Sequence, residues 1–261
     1  ISLFVVGDLY SVRGNDRHRH LLMVTTRPLL IPRVIGHRGA AAYVAENTLA
    51  GFRRAAELGC RWVEFDVRLS ADDRPVVFHD ATLERTTNGA GRVSATRLAE
   101  LLTLDAGGEP IPTLERALAL LAALGMGCDL EMKAERGRET ALADSVARTV
   151  ERAAPIPMLV ESFSAPALAA FARHAPHLPR ALALESLESG WREAAASVGA
   201  AALVCGHEGL DREQAMATRD AGLALVAYTV NDPARALDLL AWGIDAVISD
   251  APDIILAALL K

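Results

Sequence analysis

From residue 33 onward the chain alternates between short apolar runs rich in β-branched residues and longer stretches rich in Ala and Leu. Short apolar runs bounded by turn residues are typical of buried strands, whereas the longer stretches have the length and spacing of amphipathic helices. The predicted strands are 34–37, 62–69, 76–79, 128–133, 158–162, 181–184, 201–205, 223–229 and 246–249. The predicted helices are 48–58, 113–124, 139–153, 165–174, 191–198, 211–221, 233–242 and 252–260.

This order of elements predicts the fold class. A strand followed by a helix, repeated about eight times, implies a parallel sheet closed into a (β/α)8 barrel, the TIM barrel. One segment, 75–112, breaks the rhythm with a short strand followed by glycine-rich polar turns. We interpret it as a small insertion between the second strand and the second helix, lying over the mouth of the barrel. The barrel is predicted to occupy 33–261, after an N-terminal extension at 1–32.

The predicted extension has an unusual composition. The chain begins without Met, has a short apolar run over 1–6, and turns basic around 17–20. It lacks the basic start and the long apolar core of a secretory signal. We interpret 1–22 as a vector-derived or incidental extension, with Met23 as a natural start, and assign no function to its histidines.

Composition and charge narrow the class of protein. The 261 residues are 51% hydrophobic, enough for a full core, and the net charge of −6 argues against a general nucleic-acid binder, which would present a basic face. No apolar run approaches the ~20 residues of a membrane span, so stable membrane insertion is not expected. The three cysteines form no CxxC pair, and we interpret them as buried small residues in a reducing, cytoplasmic compartment.

The strongest chemical signal is the pair Glu64 and Asp66 in the second predicted strand. Because side chains alternate across a strand, both carboxylates lie on one face. Two carboxylates on a buried face repel each other and are costly to desolvate, and a hard cation such as Mg²⁺ or Ca²⁺ removes both problems. Alone, such a pair is more typical of a solvated face. The flanking His37 and His79, together with Arg38, favour metal-assisted chemistry on a phosphate instead.

More polar and aromatic side chains follow the predicted strands at their C-terminal ends, where barrel enzymes have their active sites. These residues are His37, Arg38, Glu131, Lys133, Ser162, Phe163, Tyr228, Asn231, Ser249 and Asp250. Lys133 is conspicuous because the chain has only one other lysine, Lys261, and uses Arg everywhere else. A compact ammonium suits a position beside a metal and a phosphate oxygen, although a simple ion pair with Glu131 at the rim is the alternative.

Seven short sequence motifs follow one another along the chain. The motifs are His37-Arg-Gly, Glu46-Asn-Thr, Glu64-x-Asp66, His79-Asp-x-Thr-Leu-x-Arg-Thr-Thr-x-Gly-x-Gly91, Glu131-x-Lys133, Ser162-Phe163 and Tyr228-Thr-Val-Asn231. With these motifs, the chain from about Arg33 to its end resembles the glycerophosphodiester phosphodiesterase family. His-Arg-Gly alone is a weak signal, whereas so many separate motifs in one order are specific.

The resemblance implies a (β/α)8 barrel that holds a divalent metal, Mg²⁺ or Ca²⁺, and hydrolyses small-molecule glycerophosphodiesters to glycerol 3-phosphate and an alcohol. The metal ligands that it implies are Glu64, Asp66 and Glu131. It implies His37 and His79 as general acid and base, with the glycerol hydroxyl of the substrate as nucleophile and a cyclic phosphate as intermediate. The residues expected to bind substrate are Arg38, Lys133, Phe163, Tyr228 and Asn231.

Two other functions remain open: a phosphodiesterase of the lysophospholipase D type, and a non-catalytic barrel that binds phosphodiesters. Tyr228 also departs from the Trp that is common at this position in the family. At Glu161 and Glu185 a salt bridge at the rim is favoured over contact with a cationic headgroup. Asn47 is the expected N-cap of the first helix. The headgroup, the choice of metal, the oligomeric state and the role of His207 are not fixed by the sequence.

Overall fold

The structure is a computed structural model that describes residues 30–260. Most of the predicted N-terminal extension, including 1–22 and Met23, lies outside the described residues, as does Lys261.

Eight parallel strands form a closed barrel, and a ninth strand lies beside it. The strands are β1 (Val34–Gly36), β2 (Trp62–Leu69), β3 (Pro75–Val77), β4 (Gly127–Met132), β5 (Met158–Ser162), β6 (Arg180–Leu184), β7 (Ala202–Gly206), β8 (Ala224–Tyr228) and β9 (Ala246–Ser249). Their order is β1-β9-β8-β7-β6-β5-β4-β2-β3, and an additional parallel pairing of β1 with β2 closes the barrel. Among the strands of residues 30–260, only β3 is antiparallel, pairing with the end of β2. The predicted (β/α)8 fold is therefore confirmed, with one extra strand.

Helices follow the barrel strands and cover the outside of the barrel. They are α1 (Leu49–Glu57), α2 (Leu98–Leu101), α3 (Leu114–Leu124), α4 (Glu139–Arg152), α5 (Ala165–His174), α6 (Trp191–Ser197), α7 (Arg212–Asp220), α8 (Pro233–Ala241) and α9 (Pro252–Ala258). Eight of these helices match the predicted ones, with bounds that agree to within one or two residues at each end, because the periodicity of apolar positions is strong. The short α2 is not among the predicted helices and belongs to the segment between β2 and α3. No helix within 30–260 is long and apolar enough to cross a membrane.

The start of α1 differs from the prediction. Thr48, not Asn47, is the N-cap, and its hydroxyl accepts a hydrogen bond from the backbone N–H of Gly51. Asn47 has a left-handed backbone (φ 58°) and turns its side chain into the barrel. There its amide donates to Asp66 (2.8 Å) and its carbonyl accepts from the Asp66 backbone N–H (3.2 Å). The prediction that Asn47 caps the helix is wrong because the buried carboxylate of Asp66 takes its side chain.

Alternation along each strand separates two apolar layers. Outward-facing residues such as Phe65 and Leu130 pack against the helices in the main core. Inward-facing residues such as Trp62, Leu159 and Val226 form a second cluster inside the barrel. The inward positions nearer the C-terminal ends of β2, β4 and β5 are polar, and they include site residues predicted from the sequence. The apolar floor thus supports a polar mouth, meaning the end of the barrel where the strands terminate.

The segment between β2 and α3 forms a small lobe with its own apolar centre. It contains β3, a 3₁₀ turn (Val93–Ala95) and α2. Its buried side chains are Val76, Phe78, Leu83, Val93, Leu101, Ala106 and Ile111. Because β3 pairs with the last residues of β2, the lobe is fixed at the mouth end of that strand.

The end of β1 leaves no room for a side chain on Gly36. A Cβ at Gly36 would lie 2.1 Å from the carbonyl oxygen of Gly39, which is backbone and cannot move without shifting the turn that carries His37 and Arg38. We expect Gly36→Ala to lower the free energy of unfolding by about 2 kcal/mol, the usual scale for overpacking, as measured by urea titration. Gly209→Ala is the control, because an added Cβ there has no described atom within 4 Å. Equal stability of the two variants would contradict this account of the β1 turn.

Candidate active site

The ten residues predicted for the site lie at the mouth. His37 and Arg38 directly follow β1, Glu64 and Asp66 lie in β2, and His79 follows β3. The other five residues, in or after β4, β5 and β8, are Glu131, Lys133, Phe163, Tyr228 and Asn231. The parallel strands end at the same edge of the barrel, so residues far apart in sequence come within contact distance.

Negative charge is concentrated on one side of the barrel interior. In the strand register Glu64 stands beside Asp129, Asp66 beside Glu131, and Glu131 beside Glu161. All five carboxylates are buried, at most 7% exposed. The inward positions of the opposite strands are small and apolar, including Ala183, Val204 and Val226, so they offer no charge to offset this group.

Asp66 is the carboxylate that the protein itself neutralises. Its oxygens lie 3.2 Å from Nζ of Lys133 and 3.4 Å from Nε of Arg38, and they also accept the hydrogen bond from Asn47. Burial alone would raise the pKa of Asp66, but Lys133 and Arg38 outweigh burial and hold this pKa below its usual value. Asp66 is therefore ionised and fixed in position.

The neighbouring carboxylates are less fully compensated: Glu131 accepts from Nζ of Lys133 (2.6 Å), and Glu64 accepts from the backbone N–H of Arg38 (3.0 Å). Burial, reinforced by the charge of Asp66, raises the pKa of Glu64 to about 8 and that of Glu131 to about 7. Burial also raises the pKa values of Asp129 and Glu161 well above their usual range. Among residues 30–260, both oxygens of Asp129, Oε1 of Glu131 and Oε2 of Glu161 have no hydrogen-bond partner. Buried acceptors without partners are costly, so the site is built to receive a positive charge.

The geometry fits a divalent metal ion. Glu64, Glu131 and Glu161 each offer an oxygen, and these atoms all lie within 4.8 Å of one another. Carboxylate oxygens are the ligands that Mg²⁺ and Ca²⁺ prefer. Glu161 belongs to this group although the sequence favoured a salt bridge at the rim. That expectation is wrong, because the side chain points into the barrel and is only 3% exposed.

Each histidine forms a short contact with an aspartate. Nδ1 of His37 lies 2.6 Å from Asp250, and Nδ1 of His79 lies 2.6 Å from Asp80. Burial lowers the pKa of His37, but Asp250 and then Glu64 outweigh burial, so the pKa is raised. For His79 burial dominates over the charge of Asp66 and the contact with Asp80, and its pKa is lowered. The two imidazoles are thus oriented alike but differ in their affinity for a proton.

Asn231 holds Asp250, the hydrogen-bond partner of His37, in position. Its amide donates to Asp250 (2.7 Å), and its carbonyl accepts from the Asp250 backbone N–H (2.9 Å) and from the Ser249 hydroxyl (2.9 Å). The side chain that was predicted to bind substrate is therefore occupied in holding the partner of His37. Its contact with substrate stays a prediction.

A chain of ion pairs joins the insertion to the barrel. Arg85 donates to both Asp80, the partner of His79, and Glu46 (2.6–3.0 Å). Glu46 also accepts from Arg38 (2.7 Å). The sequence placed Asp80 and Arg85 inside a motif but gave neither a role, because the link to the barrel is made by Arg85 and Glu46, which are 39 positions apart.

The aromatic residues lie beside Lys133. Nζ of Lys133 is 5.8 Å from the centre of the Phe163 ring, and Phe163 meets Tyr228 edge to face with ring centres 6.2 Å apart. Phe163 is 46% exposed, and the Tyr228 hydroxyl donates to the carbonyl of Leu184 (3.0 Å). The pair forms an apolar wall at the open side of the mouth, next to the charged residues.

Comparison with known proteins agrees with this site. Residues 37–254 match the Glycerophosphoryl diester phosphodiesterase family, which covers most of the chain. The chain belongs to this family. Its members are phosphoric diester hydrolases, so the protein is an enzyme of that class. The match spans every predicted site residue from His37 to Asn231.

Individual relatives extend the family match. A glycerophosphodiester phosphodiesterase of Caldanaerobacter subterraneus is 31% identical over 84% of this chain and 94% of its own length. An Oleispira antarctica phosphodiesterase in complex with the product sn-glycerol-3-phosphate shares 37% identity and a TM-score of 0.86, covering 88% of this chain and 97% of that one. A glycerophosphodiester phosphodiesterase from Agrobacterium tumefaciens shares 29% identity and a TM-score of 0.71, covering 87% and 100%.

The two histidine–aspartate pairs of this family member predict separable titrations. Asp250→Asn should lower the pKa of His37 by about one unit or more, because an adjacent carboxylate favours the charged imidazole. Asp80→Asn should do the same to His79. NMR titration of the histidine ring protons measures both, and each variant is the control for the other. A common shift of both histidines in either variant, or no shift in both, would contradict the pairing.

Proposed function

We propose that this family member hydrolyses glycerophosphodiesters to glycerol 3-phosphate and an alcohol, with a divalent metal ion and two histidines. One observation carries the proposal: buried carboxylates without partners, two oriented histidines and two fixed cations meet at one end of the barrel. The Oleispira antarctica relative, whose structure contains sn-glycerol-3-phosphate, supports the substrate class.

Glu64, Asp66 and Glu131 would hold the metal, Mg²⁺ or Ca²⁺. The ion supplies Lewis-acid stabilisation of charge on the phosphoryl oxygens and neutralises the carboxylates. The unpartnered Oε1 of Glu131 and the raised pKa values of Glu64 and Glu131 support these two ligands. Asp66 lies outside the trio of oxygens within 4.8 Å, and its assignment rests on the family resemblance and on its place beside Glu131. Asp66, held by Asn47 and Lys133, gives the ligand set one rigid member.

Arg38 and Lys133 would bind the phosphate. Both are only 17% exposed at the side chain, and both already lie against Asp66, so their positive charges are fixed at the acidic group before substrate arrives. Fixed charges of this kind stabilise a phosphoryl transition state without reorganisation. Phe163 and Tyr228 would contact the glycerol or the alcohol along the apolar wall.

The histidines would move protons in two steps. In the first, one imidazole takes the proton of the glycerol 2-hydroxyl as its oxygen bonds to phosphorus, and the other gives a proton to the departing alcohol oxygen. A cyclic phosphate results, and tethering of the nucleophile gives it a high effective molarity. In the second step the roles exchange as water opens the ring, giving glycerol 3-phosphate. Asp250 and Asp80 would keep each ring in the required orientation.

Lysophospholipids are the second candidate substrate class. A depression of about 380 Å³ lies beside Glu46 and is lined mainly by small or apolar residues. Its lining consists of Ala41, Tyr43, Val44, Ala45, Glu46, Thr86 and Ala106. The exposed part of this lining is more polar than apolar, so it offers an acyl chain only partial apolar contact.

A substrate panel tests the proposal. We expect release of glycerol 3-phosphate from glycerophosphocholine, glycerophosphoethanolamine and glycerophosphoglycerol, loss of turnover in excess chelator, and recovery with Mg²⁺, Ca²⁺ or Mn²⁺. Full turnover by metal-stripped enzyme would contradict the metal assignment. Turnover of lysophosphatidylcholine alone would move the function to the second class.

Replacing either histidine should abolish proton transfer while the fold persists. We expect His37→Ala and His79→Ala each to lower kcat by about a hundredfold or more, the usual scale for a lost general acid or base. Steady-state kinetics on glycerophosphocholine measures this effect, and circular dichroism checks the fold. His174→Ala is the control, because that histidine pairs with Asp144 on the outer helices. A near-normal kcat in either test variant would remove that histidine from the mechanism.

A further inference from the structure

Glu161 is the buried carboxylate at the mouth that the sequence motifs do not explain. It lies one residue before the end of β5, on the inward face, beside Glu131 in the strand register. The residue is only 3% exposed, and its Oε2 atom has no hydrogen-bond partner among the described residues. A buried carboxylate oxygen in this condition needs a cation or a donor.

The fixed cations of the site are directed elsewhere. Lys133 contacts Oε2 of Glu131 (2.6 Å) and Asp66 (3.2 Å). Arg38 contacts Glu46 and Asp66. No ion pair in residues 30–260 includes Glu161. The protein therefore neutralises the Asp66 side of the acidic group and leaves the Glu161 side without positive charge.

Glu131 and Glu161 on that side each have an oxygen without a partner among the described residues. Oε1 of Glu131 has no partner, like Oε2 of Glu161, and Glu64, Glu131 and Glu161 each place an oxygen within 4.8 Å of the others. Oxygens bound to one Ca²⁺ at 2.3–2.6 Å are separated by up to about 5 Å, so this spacing matches a shared ion. Asp129 is equally buried and unpartnered but is not a member of the trio.

We propose that Glu161 is a direct ligand of the divalent ion, in addition to the three carboxylates of the sequence motifs. The inference rests on the proposed function, since it concerns the same ion. A fourth carboxylate would favour an ion that accepts many protein oxygens, as Ca²⁺ does, over one that retains its water shell, as Mg²⁺ does.

Metal affinity, not turnover, tests this ligand. The full chain is stripped with chelator, dialysed and titrated with Ca²⁺ and, separately, Mg²⁺ by isothermal calorimetry. We expect Glu161→Gln, which keeps the size but removes the charge, to raise the Kd for Ca²⁺ by about tenfold or more. Glu161→Asp keeps the charge and withdraws the oxygens by one methylene. Glu161→Asp should weaken Ca²⁺ binding to a similar degree, and it is the test variant if Glu161→Gln does not fold.

Two further variants separate ligation from general electrostatics. Asp129→Asn alters a buried carboxylate that lies outside the trio Glu64, Glu131 and Glu161. The Kd of this variant for Ca²⁺ should stay within about threefold of wild type. Glu64→Gln should lose affinity as a ligand of the proposed site. The inference is overturned if both Glu161 variants bind Ca²⁺ like wild type while Glu64→Gln does not. It is equally overturned if Asp129→Asn loses as much affinity as Glu161→Gln.

A failure of the proposed function would give a different result from a failure of the Glu161 assignment. If wild-type protein shows no binding heat and no metal-induced rise in Tm with either ion, the metal site itself is absent, and both proposals fall together. If wild type and the Glu161 variants bind alike, the metal site stands and only the role of Glu161 is lost.

Discussion

Repulsion among buried carboxylates is the constraint on which the rest of this structure depends. Strands β2, β4 and β5 place Glu64, Asp66, Glu131 and Glu161 within one side of the barrel interior, away from water. Uncompensated charges in such a place are costly, and the raised pKa values of Glu64 and Glu131 express that cost. The apolar residues packed below the carboxylates provide no positive charge, so the compensating charge must come from the mouth.

The surrounding residues compensate only part of this negative charge. Lys133, Arg38 and Asn47 fix Asp66, which gives the site a rigid ionised ligand. Arg38 is in turn tied through Glu46 and Arg85 to Asp80, the partner of His79 in the insertion. The insertion thus contributes charged residues to the site. The open side of the acidic group remains for an ion and the phosphate that it would bind.

Much of this could be predicted from the sequence, and the exceptions have a common physical cause. Strand and helix positions follow from local periodicity, and alternation correctly placed Glu64 and Asp66 on one face. The prediction failed where long-range contacts decide: Asn47 serves Asp66 in place of the helix, and Glu161 faces Glu131 only because of the strand register. The link from Arg85 to Glu46 likewise depends on how the insertion folds back.

The stability of the protein with and without metal tests the central claim most directly. Urea unfolding would be measured at neutral pH in excess chelator and again with Ca²⁺ or Mg²⁺ at about a hundred times its Kd. An ion that binds only the folded state should raise the free energy of unfolding by about 2.7 kcal/mol under these conditions. Glu64→Gln should lose most of that increment. Identical unfolding curves with and without either ion would contradict the claim that a divalent cation neutralises the acidic side of the barrel.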